Sequence, residues 1–180
     1  MKKDLSLTQK ITTYAIGSAL FVVIGCSIPI SIPNTSAHID LGYAVMMIYA
    51  YLFGPIAGFV VGGLGRFLED MILFGSIGSP GWLISSFSIG LLSGVILKLR
   101  YKVKNHTYFT IISALCVLIV NAIFLIGFAP FISSIWNGVP YLAKLPSGIA
   151  AFITNSVSML LIGLPIAKIL EKIVPKIFAK

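Results

Sequence analysis

Long apolar runs, separated by Pro, Gly, Asn or charged residues, dominate this chain and limit what it can fold into. They cover Lys10 to Ile28, Leu41 to Phe53, Pro55 to Phe74, Trp82 to Leu97, Tyr108 to Phe128 and Gly148 to Ile169. Most are as long as helices that cross the hydrocarbon core of a bilayer. Only 10% of the 180 residues are charged, against about a quarter in soluble domains. We therefore predict an all-α integral membrane protein of about six transmembrane helices, with residues 1–180 as a single transmembrane domain.

Basic residues predict how this bundle is oriented. Of the 13 Lys and Arg residues, 11 lie in three segments: residues 2–10, residues 98–104 after the fourth run, and residues 168–180 at the end of the chain. Because Lys and Arg are enriched in cytoplasmic segments, both termini are predicted to be cytoplasmic. The connections Pro29 to Asp40 and Ala129 to Ser147 then lie outside, with the short segment Gly75 to Gly81. This topology accounts for the net charge of +8 without nucleic-acid binding.

Three charged residues interrupt the third apolar run. Arg66 lies 11 residues after Pro55, which places it roughly 17 Å along the helix, near the bilayer midplane. Charges at that depth are costly and mark functional candidates. Glu69 and Asp70 follow at i+3 and i+4 and can neutralise Arg66 within one helix. A structural charge cluster and a functional one are equally compatible with this spacing.

Aromatic and polar residues are concentrated at the predicted outer side. This mixture suits a pocket for a flat polar heterocycle, since aromatic rings stack and amides orient a ligand. An interfacial aromatic belt accounts for the tryptophans equally well. An amide inside an apolar run, such as Asn155, needs a partner, which is either another helix or a ligand. The candidate residues are Asn34, His38, Asp40, Tyr43, Trp82, Ser85, Ser86, Trp136, Asn137, Tyr141, Lys144 and Asn155.

Ala15 and Ala19 form an A-x-x-x-A pattern in the first run. Small residues four apart let another membrane helix approach closely. Spacing alone favours packing inside the bundle over contact with a partner.

Several kinds of chemistry lack their motifs in this sequence. It contains no G-x-x-x-x-G-K-[ST], no G-x-S-x-G and no H-E-x-x-H pattern. Its two cysteines, Cys26 and Cys116, lie in separate apolar runs without metal-ligand spacing. We expect a binding or transport protein rather than an enzyme, with no metal and no cofactor.

One stretch resembles a known family. The segment GYAVMMIYAYLFGPIAGFVVGGLGRFLED, together with AIGSA in the first run, resembles the S component of an energy-coupling factor (ECF) vitamin transporter, in the UPF0397 or riboflavin-type group. S components are substrate-binding subunits of ABC importers. The resemblance implies an S-component-like bundle in a bacterial plasma membrane that binds riboflavin, cobalamin, or a hydroxymethylpyrimidine- or pyridoxine-like compound.

The resemblance also implies partners and a mechanism. The chain would bind its vitamin outside, with residues 29–40 as a lid and the outer halves of the fourth to sixth helices as the pocket. It would then topple in the bilayer while docked to a transmembrane coupling protein, with two ATPase subunits hydrolysing ATP. In that assembly Ala15 and Ala19 would face the coupling protein. Two alternatives remain: a stand-alone secondary transporter with Arg66, Glu69 and Asp70 as an ion relay, and a non-transporting membrane scaffold.

Overall fold

The computed structural model describes residues 6–27, 40–99 and 106–173. These residues form helices and short turns, with no strand among them, so the all-α prediction is confirmed. The helices are α1 (Leu7–Ser27), α2 (Gly42–Phe53), α3 (Pro55–Phe74), α4 (Pro80–Lys98), α5 (His106–Asn121), α6 (Ala129–Asn137), α7 (Tyr141–Val157) and α8 (Leu164–Leu170). A π-helical segment, Ala122–Phe128, joins α5 to α6, and another, Ser158–Gly163, joins α7 to α8. The described residues therefore form six helical rods.

The predicted outer loop from Ala129 to Ser147 is wrong. Most of it is helical, because α6 extends the fifth rod to Asn137 and the sixth rod begins at Tyr141. The prolines in this stretch led to the prediction of a loop. A proline is tolerated inside each of these two rods because a π segment, which widens the helix, ends two residues before it. Phe128 ends the segment before Pro130, and Gly163 ends the segment before Pro165.

Tyr141 supports the first of these distortions. Its hydroxyl donates a hydrogen bond of 2.9 Å to the carbonyl oxygen of Ile126. Residue 130 would donate to that carbonyl in a regular α-helix, but proline has no N–H. The tyrosine thus supplies the donor that Pro130 lacks and ties the two rods together.

Glycine allows the helices around the predicted charges to pack closely. A Cβ atom added to Gly58 would lie 2.2 Å from the carbonyl oxygen of Gly90, and one added to Gly90 would lie 2.1 Å from that of Gly58. These backbones on α3 and α4 are in direct contact. Gly54, at φ 93°, makes the tight turn that joins α2 to α3.

The bundle has apolar residues outside and many polar residues inside. Ile16, Leu115 and Leu161 are exposed, whereas Ser85, Ser86 and Asn121 are fully buried. This distribution is the one expected where lipid surrounds the protein.

By length and composition, four stretches can cross a membrane. They are Leu7–Ser27, Pro80–Lys98, Tyr108–Asn137 and Tyr141–Leu170, and Gly42–Phe53 is a shorter apolar helix. Helix α3 has 20 residues but is not one of these four stretches, because it carries three charged side chains. Most basic segments used for orientation lie outside the described residues, so the cytoplasmic termini stay a prediction.

Candidate ligand-binding cavity

A cavity of about 240 Å³ lies at the end of the bundle where α2 and α4 begin and α3 ends. The start of α2 and the C-terminal half of α3 form one wall. The end of α6 and the first four turns of α7 form another, and the start of α4 lies between them. The lining residues are Asp40, Tyr43, Arg66, Asp70, Phe74, Gly78, Ser79, Trp82, Asn137, Lys144, Ala151 and Asn155.

Helical spacing explains how two of these walls arise. Arg66, Asp70 and Phe74 lie four residues apart and form a column along one face of α3. On α7, Lys144 and Asn155 are 11 residues apart, close to three helical turns, so they also share a face. Each helix therefore presents a polar column to the cavity, while its other faces pack against neighbours or lie at the surface.

Arg66 lies at the centre of a cluster of carboxylates. Its Nη2 is 2.8 Å from Asp70 Oδ1, and its Nη1 is 3.5 Å from Glu69 Oε2. Nη1 also donates a hydrogen bond of 3.4 Å to Asp40 Oδ2. All three carboxylates are almost completely buried, whereas the Arg66 side chain is 13% exposed. Within this cluster three carboxylates face one guanidinium, which leaves a formal excess of two negative charges when all are ionised.

Two glycines make room for the carboxylates. A Cβ atom at Gly25 of α1 would lie 2.5 Å from Glu69 Oε1, so a larger residue there would collide with the carboxylate. The backbone N–H of Gly42 donates a hydrogen bond of 2.8 Å to Asp40 Oδ1. Helices α1, α2 and α3 therefore meet at this cluster.

Aromatic and amide groups complete the lining. The buried Tyr43 hydroxyl is hydrogen-bonded to Ser86 Oγ on α4, and Trp82 is partly buried beside the core. The buried Asn155 accepts a hydrogen bond of 3.3 Å from Thr154 Oγ1. Within the described part of the chain, no hydrogen bond engages the Asn155 amide nitrogen.

The structure separates the predicted binding residues into two groups. The six that come together in the cavity lining are Asp40, Tyr43, Trp82, Asn137, Lys144 and Asn155. The other four that are described are not lining residues: Ser85 donates hydrogen bonds to the Gly81 and Phe124 carbonyls, Ser86 is hydrogen-bonded to Tyr43, Trp136 is 63% exposed, and the Tyr141 hydroxyl donates to the Ile126 carbonyl.

Other predicted residues lie elsewhere or outside the described part of the chain. Asn34 and His38 fall outside the described residues, as does nearly all of the predicted lid. Ala15 and Ala19 are exposed on α1, whereas the intervening Gly17 is buried. This outward position is compatible with partner contact and argues against packing inside the bundle.

Sequence reasoning missed some lining residues. Phe74 follows Asp70 by one helical turn, so the spacing on α3 could have identified it. Gly78, Ser79 and Ala151 carry no comparable signal, because small residues occur throughout the chain.

The lining has a defined chemical character. Carboxylates only accept hydrogen bonds when ionised, whereas lysine and arginine only donate them. Amides do both, and the tryptophan ring offers a stacking surface. The described residues contain no group of three His, Cys, Asp or Glu side chains suited to a metal ion. The arrangement suits a small polar ring compound.

Comparison with known proteins agrees on one family. A family model for the S component of ECF-type riboflavin transporters matches residues 6–172. A UPF0397 protein of Clostridium perfringens is 31% identical over 173 residues, covering 91% of this chain and 89% of the relative. A UPF0397 protein of Streptococcus gordonii is 33% identical over 172 residues, with the same coverage.

A solved structure shows the same fold. The crystal structure of the S component for biotin from an ECF-type ABC transporter matches with a TM-score of 0.68 and 19% identity, covering 92% of this chain and 94% of that one. The predicted S-component-like bundle is confirmed by this likeness. At this identity the comparison speaks to the fold and not to the ligand.

Proposed function

The chain belongs to the family of S components of ECF-type riboflavin transporters, and from that premise we propose that it is the vitamin-binding subunit of an ECF-type importer in the bacterial plasma membrane. S components are multi-pass membrane proteins that bind substrate and are not enzymes. The ligand is a vitamin or vitamin precursor: riboflavin, cobalamin, or a hydroxymethylpyrimidine- or pyridoxine-like compound.

The cavity is the observation that supports this proposal most directly. It brings Asp40, Tyr43, Trp82, Asn137 and Asn155 together from four separate parts of the chain. A partly enclosed site with an aromatic surface and a few convergent polar groups is typical of small-molecule binding. Its place at the end where α2 and α4 begin is the predicted outer side, where a nutrient would arrive.

Roles follow from the chemistry of each side chain. Trp82 stacks on the ligand ring, and Asn137 and Asn155 orient it through their amides. Arg66, Glu69 and Asp70, with Asp40, hold α1, α2 and α3 together beside the site. Residues 29–40 close over the bound vitamin.

Transport requires partners in this proposal. The sequence contains no P-loop, so ATP hydrolysis is assigned to two ATPase subunits that act through a transmembrane coupling protein. Ala15 and Ala19 lie exposed on α1 and form the surface that contacts this coupling protein. Their small side chains allow the two helices to approach closely.

Vitamin uptake into proteoliposomes tests the proposal. Uptake should require the chain, the coupling protein, both ATPases and ATP. Replacing Ala15 and Ala19 with Trp should abolish uptake and leave binding to the isolated chain unchanged. The matched control is Trp at Leu115 and Ile119, which are exposed on α5 with the same spacing, and it should transport normally.

Two outcomes contradict the proposal. Uptake by the chain alone that depends on a proton gradient would identify a secondary transporter, with the charged residues of α3 as its relay. If no vitamin binds to the chain or is taken up, the non-transporting membrane scaffold would be the remaining interpretation. Loss of binding and uptake together in the double Trp variant would return Ala15 and Ala19 to a packing role.

A further inference from the structure

The polar side chains that line the cavity differ in whether the protein itself satisfies them. The hydroxyls of Tyr43 and Ser79 are each hydrogen-bonded to another serine, and Arg66 is held in ion pairs. Lys144 and Asn155 of α7 line the same cavity. Within the part of the chain that the structure describes, no hydrogen bond or ion pair engages the Lys144 ammonium or the Asn155 amide nitrogen. The open donors of the lining therefore include two on α7.

Asn155 is the more informative of the two, because it is only 4% exposed. Its oxygen accepts a hydrogen bond of 3.3 Å from Thr154 Oγ1, which leaves both N–H groups for another partner. Asn121, a buried amide on α5, instead donates a hydrogen bond of 3.0 Å to Ser156 Oγ and so joins two rods. Buried amides are normally hydrogen-bonded. A lining amide with an unused donor therefore indicates contact with a ligand.

Helix geometry places the two donors at different depths along one face of α7. Lys144 lies in the first turn of the helix, and Asn155 follows it by about three turns. Ala151 lines the cavity between them and contributes only a methyl group. A ligand can therefore lie against this face of α7 and reach both donors.

The chemistry of these groups determines what the ligand must offer. An ammonium group and an amide nitrogen only donate hydrogen bonds. A ligand that displaces water from such donors loses affinity unless its own acceptors replace the water. Asp40 and Asp70 on the opposite wall are ion-paired with Arg66 and hold that wall together. Discrimination between ligands is thus assigned to α7.

We infer that the substrate is a heterocycle that presents hydrogen-bond acceptors to α7: a carbonyl oxygen or an unprotonated ring nitrogen binds the Asn155 amide, and a second acceptor binds the Lys144 ammonium. This inference rests on the proposed function and specifies which edge of the vitamin the protein recognises. It makes Lys144 and Asn155 the residues that determine specificity.

Analogues that lack one acceptor test the Asn155 contact. Riboflavin, pyridoxine and hydroxymethylpyrimidine are each titrated into the purified chain in detergent. The compound that binds most tightly is then compared with analogues in which C–H replaces one ring nitrogen or one carbonyl oxygen is removed. At least one analogue should bind the native chain about tenfold more weakly than its parent. In Asn155→Ala that analogue and its parent should bind within about threefold of each other, because the amide that distinguishes them is gone.

Two variants and their controls test the residues. Asn155→Ala and Lys144→Met should each weaken binding of the parent compound about tenfold. Lys168→Met is the matched control for the lysine, since Lys168 donates to Thr110 Oγ1 at 2.8 Å and is not a lining residue, and it should bind normally. Asn121→Ala is the control for the amide. Its unfolding midpoint in sodium dodecyl sulfate should fall further than that of Asn155→Ala, because it loses a hydrogen bond between helices.

Several results would overturn the inference. They are binding by none of the three compounds, unchanged affinity in Asn155→Ala or Lys144→Met, and an analogue loss as large in Asn155→Ala as in the native chain. A midpoint that falls as far in Asn155→Ala as in Asn121→Ala would assign Asn155 a structural role instead. The proposed function is judged separately, by whether uptake needs the coupling protein, the ATPases and ATP. A chain that imports a vitamin with these partners, but binds it equally well without the Asn155 amide, would refute this inference alone.

Discussion

Replacing Arg66 with glutamine should destabilise the bundle strongly. Arg66 is the cation of a cluster that contains Asp40, Glu69 and Asp70, all almost completely buried. Glutamine keeps much of the side chain's length but removes its charge. The formal excess of the cluster then rises from two negative charges to three. Removing one partner of a buried ion pair costs about 3–5 kcal/mol, because the remaining charge is left uncompensated.

Charge counting separates this effect from a general loss of packing. Asp70→Asn removes the closest ion pair of Arg66, at 2.8 Å, but it also lowers the negative excess from two to one. We therefore expect Asp70→Asn to cost less than Arg66→Gln. In the double variant the excess is two again, as in the native chain. The double variant should be at least about 1 kcal/mol more stable than Arg66→Gln alone, a coupling within the range measured for contacting residues.

The free energy of unfolding in mixed micelles, measured by titration with sodium dodecyl sulfate, provides the readout. Arg66→Lys is the matched control, because it keeps the charge and loses only the planar fork that contacts several carboxylates. It should be less destabilised than Arg66→Gln. A loss of under about 1 kcal/mol in Arg66→Gln, or a double variant no more stable than it, would show that the cluster is not held by charge.

Three further substitutions have outcomes set by the geometry. Gly58→Ala should cost about 1–3 kcal/mol, because its Cβ would lie 2.2 Å from a carbonyl oxygen of α4; Gly127→Ala, with nothing within 4 Å, should be neutral in the same unfolding assay. Tyr141→Phe should lower stability by about 1 kcal/mol through the lost interhelical hydrogen bond, while calorimetry should show unchanged ligand affinity. Trp82→Ala should weaken binding about fivefold or more, from a stacking loss of about 1 kcal/mol, whereas Trp136→Ala, outside the lining, should leave affinity unchanged; equal effects would contradict the stacking role.

Periodicity and composition were sufficient to predict the helical fold, but not to predict where each helical rod begins and ends. The apolar runs correctly located every helical rod, since lipid imposes the same requirement for hydrogen-bonded backbone throughout the bilayer. They failed between Ala129 and Ser147, where Pro130, Gly138 and Pro140 resemble a loop. The sequence shows the prolines but not Tyr141 approaching the Ile126 carbonyl from the next rod. That hydrogen bond is a tertiary contact, and no local pattern encodes it.

The candidate site shows the same division between local and long-range information. Pairing of Arg66 with Glu69 and Asp70 follows from helical spacing alone, so the sequence was enough to predict it. Asp40 is 26 residues away from Arg66 and was assigned to a binding loop instead. It reaches Arg66 because the Gly54 turn places α2 against α3 and Gly25 lets Glu69 approach α1. This third carboxylate joins the start of α2 to the ion pairs of α3, which is a tertiary contact that helical spacing along α3 does not encode.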